Sequence, residues 1–126
     1  MHSRKVYIAA SYTNIVAAKK LGEELKAMGF EILSRWHVEG NTPVDSDYQS
    51  SGRAMRDYRQ VKECDLFIEL IGDSGSKGGR HCELGMAIGW KKNIMLVGGP
   101  DNCIFTNLPW LARFWTTEDL LARLKS

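Results

Sequence analysis

The sequence predicts an α/β fold: a three-layer sandwich, flavodoxin-like or Rossmann-like, around a five-stranded parallel sheet in the order 2-1-3-4-5. Three observations predict it. Short β-branched or apolar runs alternate with segments of helical spacing along the whole chain, which implies parallel βαβ units with right-handed crossovers. The 126 residues fit one domain, 1–126, with no internal repeat, linker or low-complexity tract. Hydrophobic residues make up 44% and charged residues 25%, a balance that supplies a core.

The elements follow in order. "KVYIAA" is small, aromatic and β-branched, and it ends at a Ser-Tyr-Thr-Asn turn; it reads as a buried strand. Asn14 is placed to cap a helix over 15–28, with Val16, Leu21, Leu25 and Met28 near helical spacing and Gly29 stopping it. "FEILSRW", 30–36, is the second strand, and 37–46 is a loop rich in turn residues. A helix over 47–63 follows, with Ala54, Tyr58 and Val61 as its buried stripe. "CDLFIELIG", 64–72, is the third strand, "DSGSKGG" a loop, and 80–91 a helix. "NIMLVGG", 93–99, is the fourth strand. A long loop, a short fifth strand near 112–115 and a final helix capped by Thr116 or Thr117 complete the chain. Val6, Ile8, Leu66, Ile68, Ile94 and Leu96 are expected in the core, because strands covered on both faces are apolar on both.

Composition excludes several functions. A net charge of +2 with scattered basic residues argues against polymeric nucleic acid and leaves room for a small anionic ligand. Cys64, Cys82 and Cys103 are odd in number and lack CxxC spacing, which suits a reducing cytosol rather than a disulfide framework. No apolar run approaches the roughly 20 residues that span a bilayer. The run in "MHSRKVYIAAS" is too short for a signal-peptide core, so a cytoplasmic protein without a membrane partner is expected. No His/Cys/Asp cluster has ligand spacing, so no metal or other cofactor is expected.

In open parallel sheets ligands bind beyond the carboxyl ends of the strands. That rule selects segments 9–13, 35–46, 71–80 and 98–107. Ala9 and Ser11 fall in the first of these, and Trp36 and His37, which could stack on a flat ring or pack in the core, fall in the second. In the third, "GDSGSKGGR" resembles an anion cradle: Ser76, Gly78 and Gly79 expose amides, while Lys77 and Arg80 add charge. Next comes Glu83. A helix starting near Arg80 puts it in the first turn, where the dipole favours the ionised carboxylate and lowers its pKa. Such a glutamate serves either as a nucleophile or simply as a cap. Asp57, at the edge of the apolar stripe, is either a partly desolvated carboxylate with a raised pKa or one arm of a salt bridge to a neighbouring arginine. Tyr7 is either a plain core tyrosine or one whose hydroxyl reaches the carboxyl end of its strand, and Asp65 is placed to bond a backbone amide.

Four pieces of the chain, in order over roughly 4–99, resemble the nucleoside 2-deoxyribosyltransferase superfamily, including its nucleotide N-glycoside hydrolase branch. "KVYIAAS" is similar to its first strand, with Tyr7 at the active-site tyrosine. "DYRQVKECDLFIEL" is similar to its helix-to-strand segment, with Asp57 at the catalytic aspartate. "GGRHCELGMAIGWKKNIMLVG" is similar to its ELG-x-A segment, with Glu83 at the nucleophile, and His37 falls at a substrate-contacting histidine of some hydrolases. The resemblance implies a retaining cleavage of an N-glycosidic bond and a homo-oligomer, a dimer or higher. Lys77 stands near the place of an acidic residue of the transferases, and Ser76 is one residue from a phosphate-binding serine of some hydrolases. The basic loop favours a nucleoside 5′-monophosphate or deoxynucleotide as substrate. Base exchange on free nucleosides, and binding of a nucleotide or NAD-derived ligand without cleavage, are the alternatives.

Overall fold

The computed structural model describes residues 4–39, 47–72, 79–99 and 103–126. Five parallel strands, β1 (Lys5–Ala9), β2 (Glu31–Ile32), β3 (Leu66–Leu70), β4 (Asn93–Val97) and β5 (Ala112–Phe114), form one sheet in the order β2-β1-β3-β4-β5. Five α-helices accompany it: α1 (Ile15–Ala27), α2 (Trp36–Glu39), α3 (Asp47–Glu63), α4 (Gly79–Gly89) and α5 (Thr117–Lys125). The predicted class and strand order are therefore observed.

The centre of the sheet follows from its sequence. β3 pairs with both β1 and β4, and all five of its residues are buried. Val6, Ile8, Leu66, Ile68, Ile94 and Leu96 are core residues as expected. Alternation and register put Tyr7, Ala9, Phe67, Glu69, Ile94 and Leu96 on one face, with Tyr7 stacked on Phe67 at 5.8 Å between ring centroids. Helices α3 and α4 contact each other and β1, and α4 also contacts β3 and β4.

Several boundaries differ for local reasons. The second strand shrinks to Glu31–Ile32 because it lies at the sheet edge, and Trp36 opens the short helix α2 instead of ending a strand. Cys64 and Asp65 precede β3: the Asp65 carboxylate accepts the Lys5 backbone amide at 2.8 Å, the structural bond expected of it. Val16 is 78% exposed; the buried side of α1 is Ala18, Leu21, Gly22 and Leu25. Asn14 makes no side-chain cap, because Tyr12–Asn14 is a 3-10 turn leading into α1. The long loop before β5 contains a further 3-10 turn, Ile104–Asn107. Thr116 caps α5, accepting the Asp119 amide at 3.1 Å.

The carboxyl edge of the sheet is closely built. A Cβ on Gly72, just past β3, would lie 1.9 Å from Asn14 Nδ2, so the chain after β3 runs tight against the 3-10 turn after β1. Gly98 ends β4 at φ +93°, where a Cβ would meet the Ile71 carbonyl oxygen at 2.6 Å. Arg113 donates to the carbonyls of Gly98 at 2.9 Å and Thr106 at 2.8 Å, tying the ends of β4 and β5 to the turn before β5.

Candidate active site

The site grows from β1, α3 and α4. Tyr7 is wholly buried on β1, and its hydroxyl donates a short hydrogen bond to Glu83 Oε2 on α4. Arg80, Leu84 and Ala87 form the buried stripe of α4. Glu83 lies one turn after Arg80, on the edge of that stripe, and so points toward the sheet. It is the fifth residue of the helix, outside the first turn where it was expected.

Its ionisation also differs from expectation. The Glu83 carboxyl is raised from 4.5 to about 8, chiefly by burial. The Tyr7 hydrogen bond pulls it down, the Asp57 and Glu69 carboxylates push it up, and the Arg56 guanidinium lowers it. Desolvation outweighs the helix dipole, whose effect fades beyond the first turn. The Tyr7 phenol is pushed far above its ordinary range by burial and by the Glu83 and Asp57 carboxylates, so it stays a donor.

The inward face of α3 is polar. Ala54 is exposed and Tyr58 is 44% exposed, contrary to the predicted stripe; only Val61 of that set is buried. Arg53, Arg56, Asp57 and Gln60 recur at helical spacing beside it and are half-buried. This helix turns charge toward the neighbouring Tyr7–Glu83 pair, which leaves Met55 and Tyr58 outside, Tyr58 against Trp90 of α4 at 5.3 Å between ring centroids. Asp57 does pair with an arginine: Arg56 Nη2 and Nε lie 3.1 and 3.2 Å from Asp57 Oδ1.

Tyr7, Glu83, Asp57 and Arg56 are thus one electrostatic group. Ala9 and Ser11 are buried at the carboxyl end of β1, and Ser11 Oγ is 2.7 Å from Thr13 Oγ1. Trp36 and His37 sit elsewhere. The Trp36 indole donates to the Ile8 carbonyl at 2.7 Å. His37 is 3% exposed, bonds Ser34 Oγ at 2.8 Å and packs within 3.3 Å of the Cβ position of Gly22 on α1. Burial, with Arg35 nearby, lowers the imidazole to about 4 and keeps it neutral. These described contacts are those of packing residues, so the stacking role is not the one their placement favours.

Ser76, Lys77 and Gly78 lie outside the described residues. Gly79 begins α4 and is exposed. Arg80 is buried, and its Nη1 stands 3.6 Å from Glu69 Oε2 on β3. Glu69, which the sequence reading passed over, is 0% exposed. The signal was available: a carboxylate in the middle of "LFIEL", a strand buried on both faces, needs a cation. Among the described residues no group of three or more His, Cys, Asp or Glu side chains could hold a metal, and no helix is long and apolar enough to cross a membrane.

No family model matches the chain, and no curated protein matches it. Solved structures do. The 2-deoxyribosyltransferase of Bacillus psychrosaccharolyticus superposes with a TM-score of 0.72 at 22% identity, over 92% of this chain and 89% of that one. The CMP N-glycosidase of Clostridium botulinum gives 0.63 at 24% identity, over 97% and 98%. A conserved protein from Enterococcus faecalis V583 gives 0.69 at 18% identity, over 98% of both chains. The chain therefore has the fold shared by a 2-deoxyribosyltransferase and a CMP N-glycosidase, along nearly its full length.

Proposed function

We propose that the chain is an enzyme of the nucleoside 2-deoxyribosyltransferase superfamily that cleaves the N-glycosidic bond of a nucleoside 5′-monophosphate or deoxynucleotide. The observation that carries this is the Tyr7 hydroxyl donated to the Glu83 carboxyl at the carboxyl end of β1, with Asp57 and Arg56 within electrostatic reach. The likeness to a CMP N-glycosidase and a 2-deoxyribosyltransferase supports the same reading.

In this reading Tyr7 holds Oε2 and leaves Oε1 to attack C1′ of the sugar. The bond from C1′ to the base nitrogen breaks, and its electron pair leaves with the base, which takes a proton from Asp57 in its protonated form, or from water while it donates a hydrogen bond to the Asp57 carboxylate. A glycosyl ester on Glu83 remains. Water attacks C1′ and passes a proton to Asp57 or to solvent, the ester bond breaks, and the Glu83 carboxylate is restored with net retention. Burial strips water from the ionised carboxylate and makes it a stronger nucleophile, while limiting how much of it is ionised at neutral pH. Ala9, Ser11 and Gly79 flank the sugar, and the Ser76–Lys77–Gly78 stretch receives the phosphate. Phe105, Trp110 and Trp115 are exposed, which fits burial against a second copy in a homo-oligomer.

The test is release of free base from a panel of nucleotides and nucleosides by the wild type, Glu83→Gln and Lys77→Ala. Turnover should require Glu83, and preference for the monophosphate should fall about tenfold in Lys77→Ala, the worth of one charge-assisted contact. Near wild-type turnover by Glu83→Gln refutes the nucleophile. Base exchange on free nucleosides without hydrolysis would instead assign the transferase activity, the second reading that the Bacillus likeness favours. Binding without turnover of any of them would assign a ligand-binding module.

A further inference from the structure

The ion pair beneath the site joins the middle of the sheet to the helix that carries Glu83. Glu69 is wholly buried on β3, on the same face as Tyr7. Arg80 is buried on α4, one turn before Glu83, and its guanidinium lies 3.6 Å from the Glu69 carboxylate. Two charges at that depth are costly in a core where apolar side chains of similar volume would pack without penalty. Their location suggests what they do there: Tyr7 and Glu69 both stand on the face that α4 covers, and Arg80 and Glu83 share the inward side of that helix.

We propose that Glu69 and Arg80 are positioning residues for Glu83: the pair fixes the start of α4 over the centre of β3 and so sets the approach of the Glu83 carboxyl to Tyr7. An apolar contact would hold α4 against the sheet but would tolerate sliding and rotation. The 3.6 Å ion pair adds a buried attraction that weakens when α4 slides or turns and carries Arg80 away from Glu69, and so favours one register. Glu69 adds a second effect. Its negative charge faces Glu83 together with Asp57 and Arg56 from α3 and Tyr7 from β1, with Arg80 one turn away on α4 itself. The inference rests on Glu83 being the reacting carboxylate.

The experiment compares Glu69→Gln, Arg80→Met and the double variant Glu69→Leu/Arg80→Met with the wild type. Thermal stability, kcat and KM on the best nucleotide, and the pH titration of Glu83 followed by 13C-carboxyl NMR are measured for each. Glu83→Gln identifies the resonance. Arg80→Met should lose the most stability, because it removes the cation that stands 3.6 Å from the buried Glu69 carboxylate. The double variant should recover most of that loss. Its kcat should nonetheless stay at least about tenfold down with KM changed less, since a displacement of about 1 Å can cost 100-fold in rate. The Glu83 titration should move to lower pH in Glu69→Gln and in the double variant. A double variant that regains both kcat and the wild-type titration makes the pair a simple packing tie and overturns the proposal. The NMR titration needs no turnover. If Glu83→Gln stays active, the catalytic reading fails whatever the titrations show; if Glu83→Gln is dead but the pair's removal leaves kcat and titration unchanged, only the present inference fails.

Discussion

Replacing Glu83 by glutamine should make the protein more stable at alkaline pH, and by an amount that grows with pH over a defined window. Glutamine keeps an oxygen that accepts the Tyr7 hydroxyl and cannot ionise. The folded-state carboxyl titrates near 8, against 4.5 for an unperturbed glutamate. Below 4.5 the carboxyl is neutral folded and unfolded, and wild type and variant should be about equally stable. Between those values the unfolded chain gives up the proton and the folded one keeps it, so wild-type stability falls with pH relative to the variant. Above 8 both states are ionised and the gap is constant. The full shift corresponds to about 4–5 kcal/mol. Water reaching a partly buried side chain brings this to roughly 3 kcal/mol. For a chain of this size that is on the order of 10 °C in Tm. Differential scanning fluorimetry of the two proteins from pH 4.5 to 9 reads the difference directly, and other titrating groups cancel in it. In the proposed mechanism wild-type turnover at saturating substrate should rise over the upper part of the same window, so activity and relative stability move in opposite directions. A Tm difference that stays flat from pH 5 to 9 would refute the desolvated Glu83 on which the argument stands.

Asp57→Asn should retain partial turnover, with the greatest loss on substrates whose base departs least easily; equal loss on all of them, measured as kcat/KM across a series of bases, would remove Asp57 from leaving-group assistance. Trp36→Phe deletes the bond to the Ile8 carbonyl and should cost about 1–2 kcal/mol in urea unfolding while leaving kcat/KM within about twofold. A selective loss of affinity for one base in that variant would restore the stacking role to Trp36.

The fold was legible because each strand of the central sheet is a short apolar run and each crossover helix is bracketed by turn residues. The runs "KVYIA", "LFIEL" and "NIMLV" carry that information locally, and 2-1-3-4-5 is a common order for doubly wound sheets built from such βαβ units. What was illegible was orientation. On α3, Ala54, Tyr58 and Val61 have core spacing, yet the helix is rotated so that Arg53, Arg56 and Asp57 turn inward. Helical periodicity finds the face that would bury most apolar area in isolation; it has no way to register that a neighbouring Tyr7–Glu83 pair makes a charged face favourable. The same blindness affected ionisation: the helix dipole is visible in sequence, whereas the burial that raises Glu83 arises only when β1, α3 and α4 meet. Trp36 and His37 show the converse, since a position past a strand end leaves ligand edge and core packing equally open until the backbone turns into α2 and buries both rings. Glu69 was the one charged residue whose sequence context alone, a carboxylate inside a fully apolar strand, announced that a cation had to meet it. That cation is Arg80, three residues before the carboxylate that the sequence motif had already singled out, so the strongest local inconsistency in the chain lies directly under its candidate site.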